Sequence, residues 1–242
     1  MSIVNMLKEA TPKYELTLPS TGEKKSFRPF LVKEEKILLM AKESSDELTV
    51  MHAVRDLIDA CVDDVQNIEQ LPMFDIEYVY LQLRSKSIGE MLTPTYIFPD
   101  SDEEVKLEIN INDIEVEHDK KHTKEIAITD DIIVTMNYPT IAVLEEIQNI
   151  KGKEEIPLFN LIIQCIHEIA TKEETLNSNT LSITELTEFV SNFTKDQYEK
   201  MITFFSTSPK LEYKDKIKTK DGKEKEIVLK GLLDFFKSGS VI

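Results

Sequence analysis

The sequence predicts an α+β protein with a mainly helical body, an N-terminal β-hairpin, a small antiparallel β insert and a C-terminal β-hairpin. Apolar residues recur at helical spacing through most of the chain, but they alternate with polar residues between Thr93 and Tyr138. Near the end, Asp221-Gly222 separates two alternating runs, and this dipeptide is a strong signal for a two-residue hairpin turn. We therefore expect one compact unit built from four segments: residues 1–92, 93–138, 139–208 and 209–242.

The stretch "LPSTG" at residues 18–22 has the pattern of the LPxTG signal by which sortases attach proteins to bacterial cell walls. Such a signal needs an apolar span and a basic tail after it, whereas charged residues follow here at once. Tyr14, Leu16 and Leu18 alternate with polar residues, and Pro-Ser-Thr-Gly is a cluster of turn formers. The stretch therefore predicts the turn of a hairpin and not a sorting signal.

Three helices are predicted after the hairpin, at residues 32–44, 46–62 and 71–90. The second has one apolar stripe at helical spacing, formed by Val50, Val54, Leu57, Ile58 and Cys61. In the third, Asp75 is a candidate N-cap and Gly89 a candidate stop.

The segment from residue 93 to 138 changes to the spacing of β-strands. Its first run puts alternate apolar residues on one face, namely Val105, Leu107, Ile109 and Ile111. Residues 114–128 predict two short strands around a charged turn, and residues 131–139 predict another strand that ends at a proline. We expect these runs to pair in a single small antiparallel sheet.

Helices are predicted again at residues 140–150, 158–170, 183–193 and 195–205, with a polar, mobile connection at 171–180. Ser182 with Glu185, and Thr194 with Gln197, have the spacing of capping boxes at the start of the last two. The chain then ends in strands at 211–219 and 223–231 and a short helix at 232–238.

The net charge of −16 over 242 residues excludes the commonest nucleic-acid and membrane-surface binders, which need clustered lysine and arginine. The first ten residues lack the basic and apolar regions of a secretory signal, and no stretch has the length of a membrane span. Cys61 and Cys165 both lie on apolar stripes, which favours two reduced core thiols in the cytosol. A disulfide between them is an open alternative.

The common catalytic motifs are absent, because the chain has no Gly-rich phosphate loop, GxSxG, HExxH, CxxC or EF-hand sequence. His118 and His122 are four residues apart, but they lie in a predicted charged turn without a third ligand. His52 and His167 lie beside apolar stripes, which is typical of structural histidines. We therefore expect no catalytic residue, no metal site and no cofactor.

Two groups of carboxylates are the remaining candidates for acid–base chemistry or cation binding. Asp130 and Asp131 are adjacent on a predicted strand, so their side chains point to opposite faces. The second group, formed by Asp100, Asp102, Glu103 and Glu104, is more simply a solvated loop. A hydrolase whose carboxylates come from distant residues is the least favoured of the alternatives.

Candidate partner-binding residues come from the two hairpin regions: Arg28, Phe30, Phe235 and Phe236. Phe27 is expected to pack on the body, so Arg28 points away and offers a planar guanidinium to a carboxylate of this protein or of a partner. The aromatic pairs Phe204-Phe205 and Phe235-Phe236 could anchor a partner, although core packing is the more common role of such pairs.

Four blocks in the same order resemble the baseplate hub assembly proteins of contractile-tailed, T-even-like bacteriophages. The first is "YELTLPSTGEKKSFRPFLVKEEKILLMAKES", and it is followed by "FDIEYVYLQLRSKSIGE" and "ITDDIIVTMNYPT". The last block is "FFSTSPKLEYKDKIKTKDGKEKEIVLKGLLDFF". The resemblance covers most of the chain, and its first block is the most specific.

This resemblance implies a non-enzymatic role in virion morphogenesis, in which the protein promotes assembly of the central baseplate hub as a chaperone or assembly factor. The implied partners are other phage hub or tail proteins, and the implied location is the host cytoplasm during assembly or the virion tail. A permanent structural subunit of the hub is the main alternative. Some relatives have paired cysteines in the hairpins, which would suggest a metal-bound ribbon. The matching positions here are Thr219, Asp221, Gly222, Tyr96, Pro99 and Asp100, so this sequence departs from that pattern and we expect no metal.

Overall fold

The computed structural model describes residues 10–44, 46–98, 104–149, 157–218, 222 and 224–237. The α-helices in these ranges are α1 Val32–Lys42, α2 Glu47–Cys61, α3 Met73–Ser87, α4 Ile141–Asn149, α5 Pro157–Cys165, α6 Ile183–Ser191, α7 Lys195–Thr207 and α8 Gly231–Lys237. The strands are β1 Tyr14–Thr17, β2 Lys24–Phe27, β3 Met91–Leu92, β4 Thr95–Ile97, β5 Glu104–Lys106, β6 Ile109–Asn110, β7 Glu115–Glu117, β8 Glu125–Thr129, β9 Ile132–Met136, β10 Ile166–Thr171, β11 Thr175–Asn177, β12 Lys210–Lys218 and β13 Glu224–Lys230.

The chain divides into two compact units. Unit 1 comprises Met1–Glu117 and Lys210–Ile242, and unit 2 comprises His118–Pro209. Unit 1 contains the N-terminal hairpin β1–β2, helices α1 to α3, and the sheet β13-β12-β7 with helix α8. Unit 2 contains the sheet β11-β10-β9-β8 with helices α4 to α7. The predicted division into four segments stays a prediction.

The predicted fold class was wrong in its balance of helix and strand. Within the described ranges the chain has thirteen strands in five sheets beside eight α-helices, so the body is mixed α+β and not mainly helical. Most strands lie in runs that the sequence predicts to be extended, but β3, β10 and β11 were not predicted. Strands β3 and β11 have only two and three residues, and such short strands leave little periodicity in the sequence.

The largest single error lies in residues 158–170, which the sequence predicts as one helix. Helix α5 ends at Cys165 and strand β10 begins at Ile166, so this stretch is half helix and half strand. Its apolar residues fit helical spacing, but Ile166 and Ile169 are buried in a central strand of the unit 2 sheet. The register between β10 and β9 shifts between Ile166 and Glu168, and a bulge there disturbs simple alternation.

The predicted polar connection at 171–180 also has regular structure. It contains strand β11 and a 3₁₀ turn at Ser178–Thr180. Because β11 is a three-residue strand at the edge of its sheet, its side chains need not be apolar. The polar composition of residues 171–180 therefore gave no indication of strand β11.

The predicted single β insert was also wrong, because its strands belong to different sheets. Strands β3 and β6 form one pair, and β4 and β5 form another. Strand β7 pairs with β12 of the C-terminal hairpin, with Leu211 opposite Val116. Strands β8 and β9 belong to the unit 2 sheet. Alternation indicates that a run is extended, but it does not identify its neighbour.

Several local predictions were confirmed. The capping boxes of α6 and α7 form at Ser182 with Glu185 and at Thr194 with Gln197. The C-terminal hairpin pairs Glu212 through Lys218 with Glu224 through Lys230, and Gly222 has φ +80°. Asp221 lies outside the described residues. One cap differs from the prediction, since α3 begins at Met73 and Asp75 lies inside its first turn.

The core of unit 1 lies between its hairpin and its helices. Leu16, Leu18 and Phe27 are buried, as the alternation of β1 and the position of Phe27 predict. Helix α3 supplies the most buried side chains, among them Ile76 and Leu83. Helix α1 packs against α2, and α2 packs against α3. The β1–β2 hairpin packs against this group of helices. Helices α1 and α2 form the surface described below.

The core of unit 2 lies between the sheet and its helices. It contains Val134 and Met136 of β9, Ile162 of α5 and Met201 of α7. Helix α7 also covers the outer edge of β8, because Lys200 Nζ donates to the carbonyl of Ala127 at 2.7 Å. A charged side chain on an edge strand protects its backbone from pairing with another chain.

Candidate docking surface

An open groove of about 180 Å³ runs between α1 and α2 in unit 1. Its lining residues are Lys33, Glu34 and Ile37 of α1, and Ala53, Asp56, Leu57 and Ala60 of α2. The α2 residues recur at i, i+3, i+4 and i+7 and so form one stripe of the helix. The two alanines in this stripe leave the space that a larger side chain would fill.

The α1 wall of the groove carries an unusual number of exposed apolar side chains. Val32 is 80% exposed, Met40 66%, Ile37 47% and Leu39 43%. Lys33, Ile37 and Met40 follow one stripe of the helix at i, i+4 and i+7. Single exposed apolar residues are ordinary, but a contiguous group beside a groove marks a surface for interaction.

Helix α1 begins at Val32 because Leu31 and Glu34 form hydrogen bonds with each other across the first turn. The backbone N–H of Leu31 donates to Glu34 Oε2 at 2.7 Å, and the N–H of Glu34 donates to the carbonyl of Leu31 at 3.0 Å. Glu34, Leu38 and Ala41 form the buried stripe against the body. The remaining apolar residues of α1 are left on the solvent side.

Arg28 closes the groove at one end, where it joins α1 to α2. Its Nη2 donates to Glu34 Oε1 at 3.0 Å and to the carbonyl of Ala60 at 2.8 Å, while Nη1 donates to the carbonyl of Pro29 at 3.0 Å. Burial raises the pKa of Glu34, but hydrogen bonds, led by the one from Arg28, lower it more, and the net pKa lies below its usual value. Arg28 therefore holds a buried carboxylate ionised beneath the groove.

The two walls of the groove carry opposite charges. Lys33 of α1 and Asp56 of α2 line the groove and are exposed, while Lys36 and Asp59 are exposed on the same helices outside its lining. Lys33 pairs with Glu34 at 3.1 Å and Asp56 pairs with Arg55 at 2.8 Å. The Asp56–Arg55 pair is largely exposed and contributes little to stability, and Lys33 is 70% exposed while Arg28 also holds its partner Glu34, so Lys33 and Asp56 can re-pair with a partner. Lys36 and Asp59 make no ion pair with any residue that the structure describes.

The other predicted partner-binding residues lie in different places. Phe30 is buried, and its backbone N–H donates to Ser87 Oγ at 2.9 Å. Phe235 is buried in unit 1. The backbone of Phe236 is part of α8, but its side chain lies outside the described residues. Only Arg28 of the four lies at the groove, with a side chain that is 23% exposed. Its role in partner binding stays a prediction.

The "LPSTG" stretch is the turn of the β1–β2 hairpin. The N–H of Gly22 donates to the carbonyl of Leu18 at 2.8 Å, and Gly22 has φ +73°. Ser20 anchors the turn to α3, because its backbone N–H donates to Asp75 Oδ1 at 2.9 Å and its hydroxyl donates to Oδ2. Burial raises the pKa of Asp75 despite these bonds. The turn thus has a structural role in unit 1.

The histidines singled out by the sequence are spread over both units. His122 is held within unit 2, where Nδ1 lies 3.0 Å from Thr207 Oγ1 and Nε2 lies 3.0 Å from the hydroxyl of Tyr138. Its ring also stacks on Tyr138, and burial lowers its pKa. His118 is exposed, and His167 lies at the β10 bulge. His52 is half-buried in α2.

The two groups of candidate carboxylates do not form a pocket with the described residues. Asp130 and Asp131 are exposed at the β8–β9 turn, and Asp131 forms an ion pair with Lys172. Asp100, Asp102 and Glu103 lie outside the described residues, and Glu104 is the exposed first residue of β5. Among the residues that the structure describes, no group of three or more histidine, cysteine or acidic side chains could hold a metal ion.

Two further carboxylates were not singled out by the sequence, the buried Glu212 and the half-buried Glu77. Glu212 on β12 lies 2.9 Å from Lys214 Nζ and 3.1 Å from Lys230 Nζ. Burial raises its pKa, but these lysines outweigh burial and lower it to about 2. Glu77 in α3 accepts the N–H of Leu232 at 3.1 Å, and burial raises its pKa to about 7. Both have structural partners inside unit 1.

Sequence reasoning also missed the groove residues Ile37, Ala53 and Ala60, and the exposed Met40 on α1. A signal was present, since apolar residues occupy every side of α1 and alanines recur at i and i+7 in α2. A surface helix normally has one apolar stripe against the core, so apolar residues beyond that stripe leave a face that can contact another surface. That signal could have directed attention to α1.

Cys61 and Cys165 are both buried and free, as the sequence favours. Burial raises the pKa of Cys61 to about 11 and that of Cys165 to about 12, so both stay protonated thiols near neutral pH. Across the ranges that the structure describes, the helices are too short or too polar to span a bilayer.

Comparison with known proteins relates the whole chain to one family. A family model described as T4 bacteriophage base plate protein matches residues 11–237. No curated protein matches the chain, and no solved structure does. The match includes both units, the β1–β2 hairpin and the α1–α2 groove. On this match over nearly its full length, the chain belongs to the T4 bacteriophage base plate protein family.

Proposed function

We propose that this protein is a non-enzymatic assembly factor that promotes formation of the central hub of the phage tail baseplate. The observation that carries the proposal is the family match over residues 11–237, which relates the chain to baseplate proteins. The order of the four sequence blocks supports the more specific assignment to hub assembly. The proposed partners are other baseplate hub or tail proteins, met in the host cytoplasm during assembly.

The chemistry of the described residues supports a binding role over catalysis. The buried or half-buried carboxylates Asp75, Glu77 and Glu212 each have a hydrogen-bond or ion-pair partner within the fold. Glu34, the carboxylate that lines the groove, is held by Arg28. A catalytic acid or base instead needs access to a substrate. The exposed apolar residues of α1 are suited to protein contacts.

A permanent structural subunit of the baseplate is the second candidate, and the description of the matching family as a base plate protein favours it equally. The two candidates differ in what remains after assembly. An assembly factor leaves the finished particle, whereas a subunit stays at a fixed copy number. Presence or absence of the protein in the tail of the mature virion therefore distinguishes the two candidates.

Quantitative mass spectrometry of purified mature virions, together with electron microscopy of particles from a phage lacking the gene, tests the proposal. We expect defective baseplate hubs without the gene and no copies of the protein in mature virions. A fixed stoichiometry in the virion would establish the structural subunit instead. Normal hubs without the gene would refute both. Loss of a hydrolytic activity in folded Asp130→Ala or Asp131→Ala would refute the non-enzymatic assignment.

A further inference from the structure

We infer that the α1–α2 groove binds an amphipathic α-helix of a partner protein, with acidic residues on one flank and basic residues on the other. This inference rests on the proposed function and names the surface and the partner chemistry through which it acts. The groove floor is apolar, through Ile37, Ala53, Leu57 and Ala60. Such a floor accepts one apolar stripe of a helix.

The geometry favours a helix over an extended segment. Both walls are α-helices, so their backbone N–H and C=O groups are already bonded within each helix. An extended segment would find no backbone partners along the groove, and its own polar groups would lose water without compensation. A helix satisfies its own backbone. Since α1 has 11 residues and is about 16 Å long, the occupant spans about three turns.

The charges of the walls define the flanks of the occupant. Lys33 on the α1 wall selects carboxylates, and Asp56 on the α2 wall selects lysine or arginine. Both side chains are more than half exposed, at 70% and 55%, so the flanks of a partner helix can reach them. Complementary charges of this kind determine specificity and association rate more than affinity, while the apolar stripe supplies the affinity.

The same charges argue against a membrane as the occupant. An anionic membrane would meet Asp56 as well as the net charge of −16. A partner helix with mixed flanks avoids this conflict. In a two-fold interface one residue contacts a different residue of the other copy, so binding of a second copy is distinguished by experiment.

The test uses three labelled synthetic helices of about 14 residues with the same leucine stripe. One has glutamate on one flank and lysine on the other, the second has glutamate on both flanks, and the third has lysine on both. Fluorescence anisotropy with the purified full chain at physiological salt measures their Kd values. We expect the mixed helix to bind at least about fivefold more tightly than either of the others. Equal or tighter binding of the all-lysine helix would mean that only net charge is sensed, and would overturn the inference.

Single-residue variants of the full chain test whether the helix binds in the α1–α2 groove. Ile37→Asp places a charge on the groove floor and should weaken binding of the mixed helix at least about tenfold. Ile183→Asp is the matched control, because Ile183 is also a helical isoleucine and is 52% exposed but lies in unit 2. It should leave Kd unchanged within about twofold. If Ile37→Asp lowers the melting temperature, Ala60→Asp replaces it, since Ala60 also lines the groove and is exposed.

Several outcomes would overturn the inference. These are no binding of the mixed helix at about 1 mM protein, equal binding by Ile37→Asp, or loss of binding by Ile183→Asp. Concentration-dependent dimerisation that Ile37→Asp abolishes would assign the groove to a second copy instead. Complementation separates this inference from the proposed function. If Ile37→Asp no longer binds the synthetic helix but still restores tail assembly in a phage lacking the gene, the groove is not the docking site. The proposed assembly role then stands.

Discussion

Arg28 donates to Glu34 across 3.0 Å, and the carboxylate that receives this bond is almost completely buried. The same guanidinium reaches the carbonyl of Ala60 on α2, so one side chain joins the hairpin exit to both helices of the groove. The carboxylate that the sequence predicts for Arg28 is therefore one of this protein. This contact makes the groove a preformed surface.

Arg28→Ala should lower the free energy of unfolding by about 2–3 kcal/mol, because it leaves the Glu34 carboxylate buried without its guanidinium. The sequence alone predicts that Arg28→Ala stays stably folded, whereas the bond between Arg28 and Glu34 predicts a destabilised variant. Urea denaturation measures the effect. Lys13→Ala is the control, since its pair with Asp63 is exposed and should contribute less than about 1 kcal/mol. Equal stability of the two variants would show that Arg28 is not a clamp.

Phe27→Ala should lower the free energy of unfolding by about 3–4 kcal/mol, as truncation of a buried aromatic side chain does. Phe27 is 1% exposed, and its backbone bridges to Val62 at the end of α2. Tyr14→Ala is the matched control, because Tyr14 lies opposite Phe27 in the hairpin and is 36% exposed. Thermal melting of both should show a clearly smaller loss for Tyr14→Ala. A loss of the same size would mean that Phe27 packs only on the hairpin.

Ser20→Ala should destabilise the protein by about 1–2 kcal/mol, because Asp75 then keeps only the bond from the backbone of residue 20. Thr21→Ala is the matched control in the same turn, where the hydroxyl only accepts the N–H of Glu23 at 3.2 Å. Its effect should stay within about 0.5 kcal/mol. Chemical denaturation compares the two. Equal effects would show that the hydroxyl of Ser20 does not anchor the turn to α3.

Glu77→Gln should make stability less dependent on pH. The pKa of Glu77 is raised from 4.5 to about 7, so between these values the folded protein holds a proton that the unfolded chain releases. The stability from this group is therefore fully present below pH 4.5 and is lost as pH rises through about 7. At about 1.36 kcal/mol for each pKa unit between 4.5 and about 7, the loss amounts to about 3 kcal/mol.

Glutamine keeps an acceptor for the N–H of Leu232 and carries no charge, so the variant should gain on the wild type between pH 5 and pH 8. Urea denaturation at both pH values measures this gain. Glu226→Gln, at an exposed carboxylate of β13, is the control and should shift the free energy of unfolding equally at both. If Glu77→Gln behaves like the control, Glu77 is ionised in the folded protein at pH 5.

Local signals in the sequence predicted local structure well. The turn at residues 18–22, the burial of Phe27 and the two capping boxes each depend on residues within a few positions of one another. The candidate site was predicted only in part. Arg28 was identified, but Phe30 and Phe235 are buried, and the exposed apolar residues of α1 were not singled out.

By itself, the sequence determined where the hairpins turn, where α6 and α7 are capped, and that the chain resembles baseplate proteins. Tertiary structure alone decided that residues 166–171 form a strand, that β7 pairs with β12, and that Arg28 bonds to Glu34. The physical reason is the range of the interactions. Turn and cap preferences act within one or two turns of chain, whereas a strand exists only beside a partner and a groove only between two packed helices.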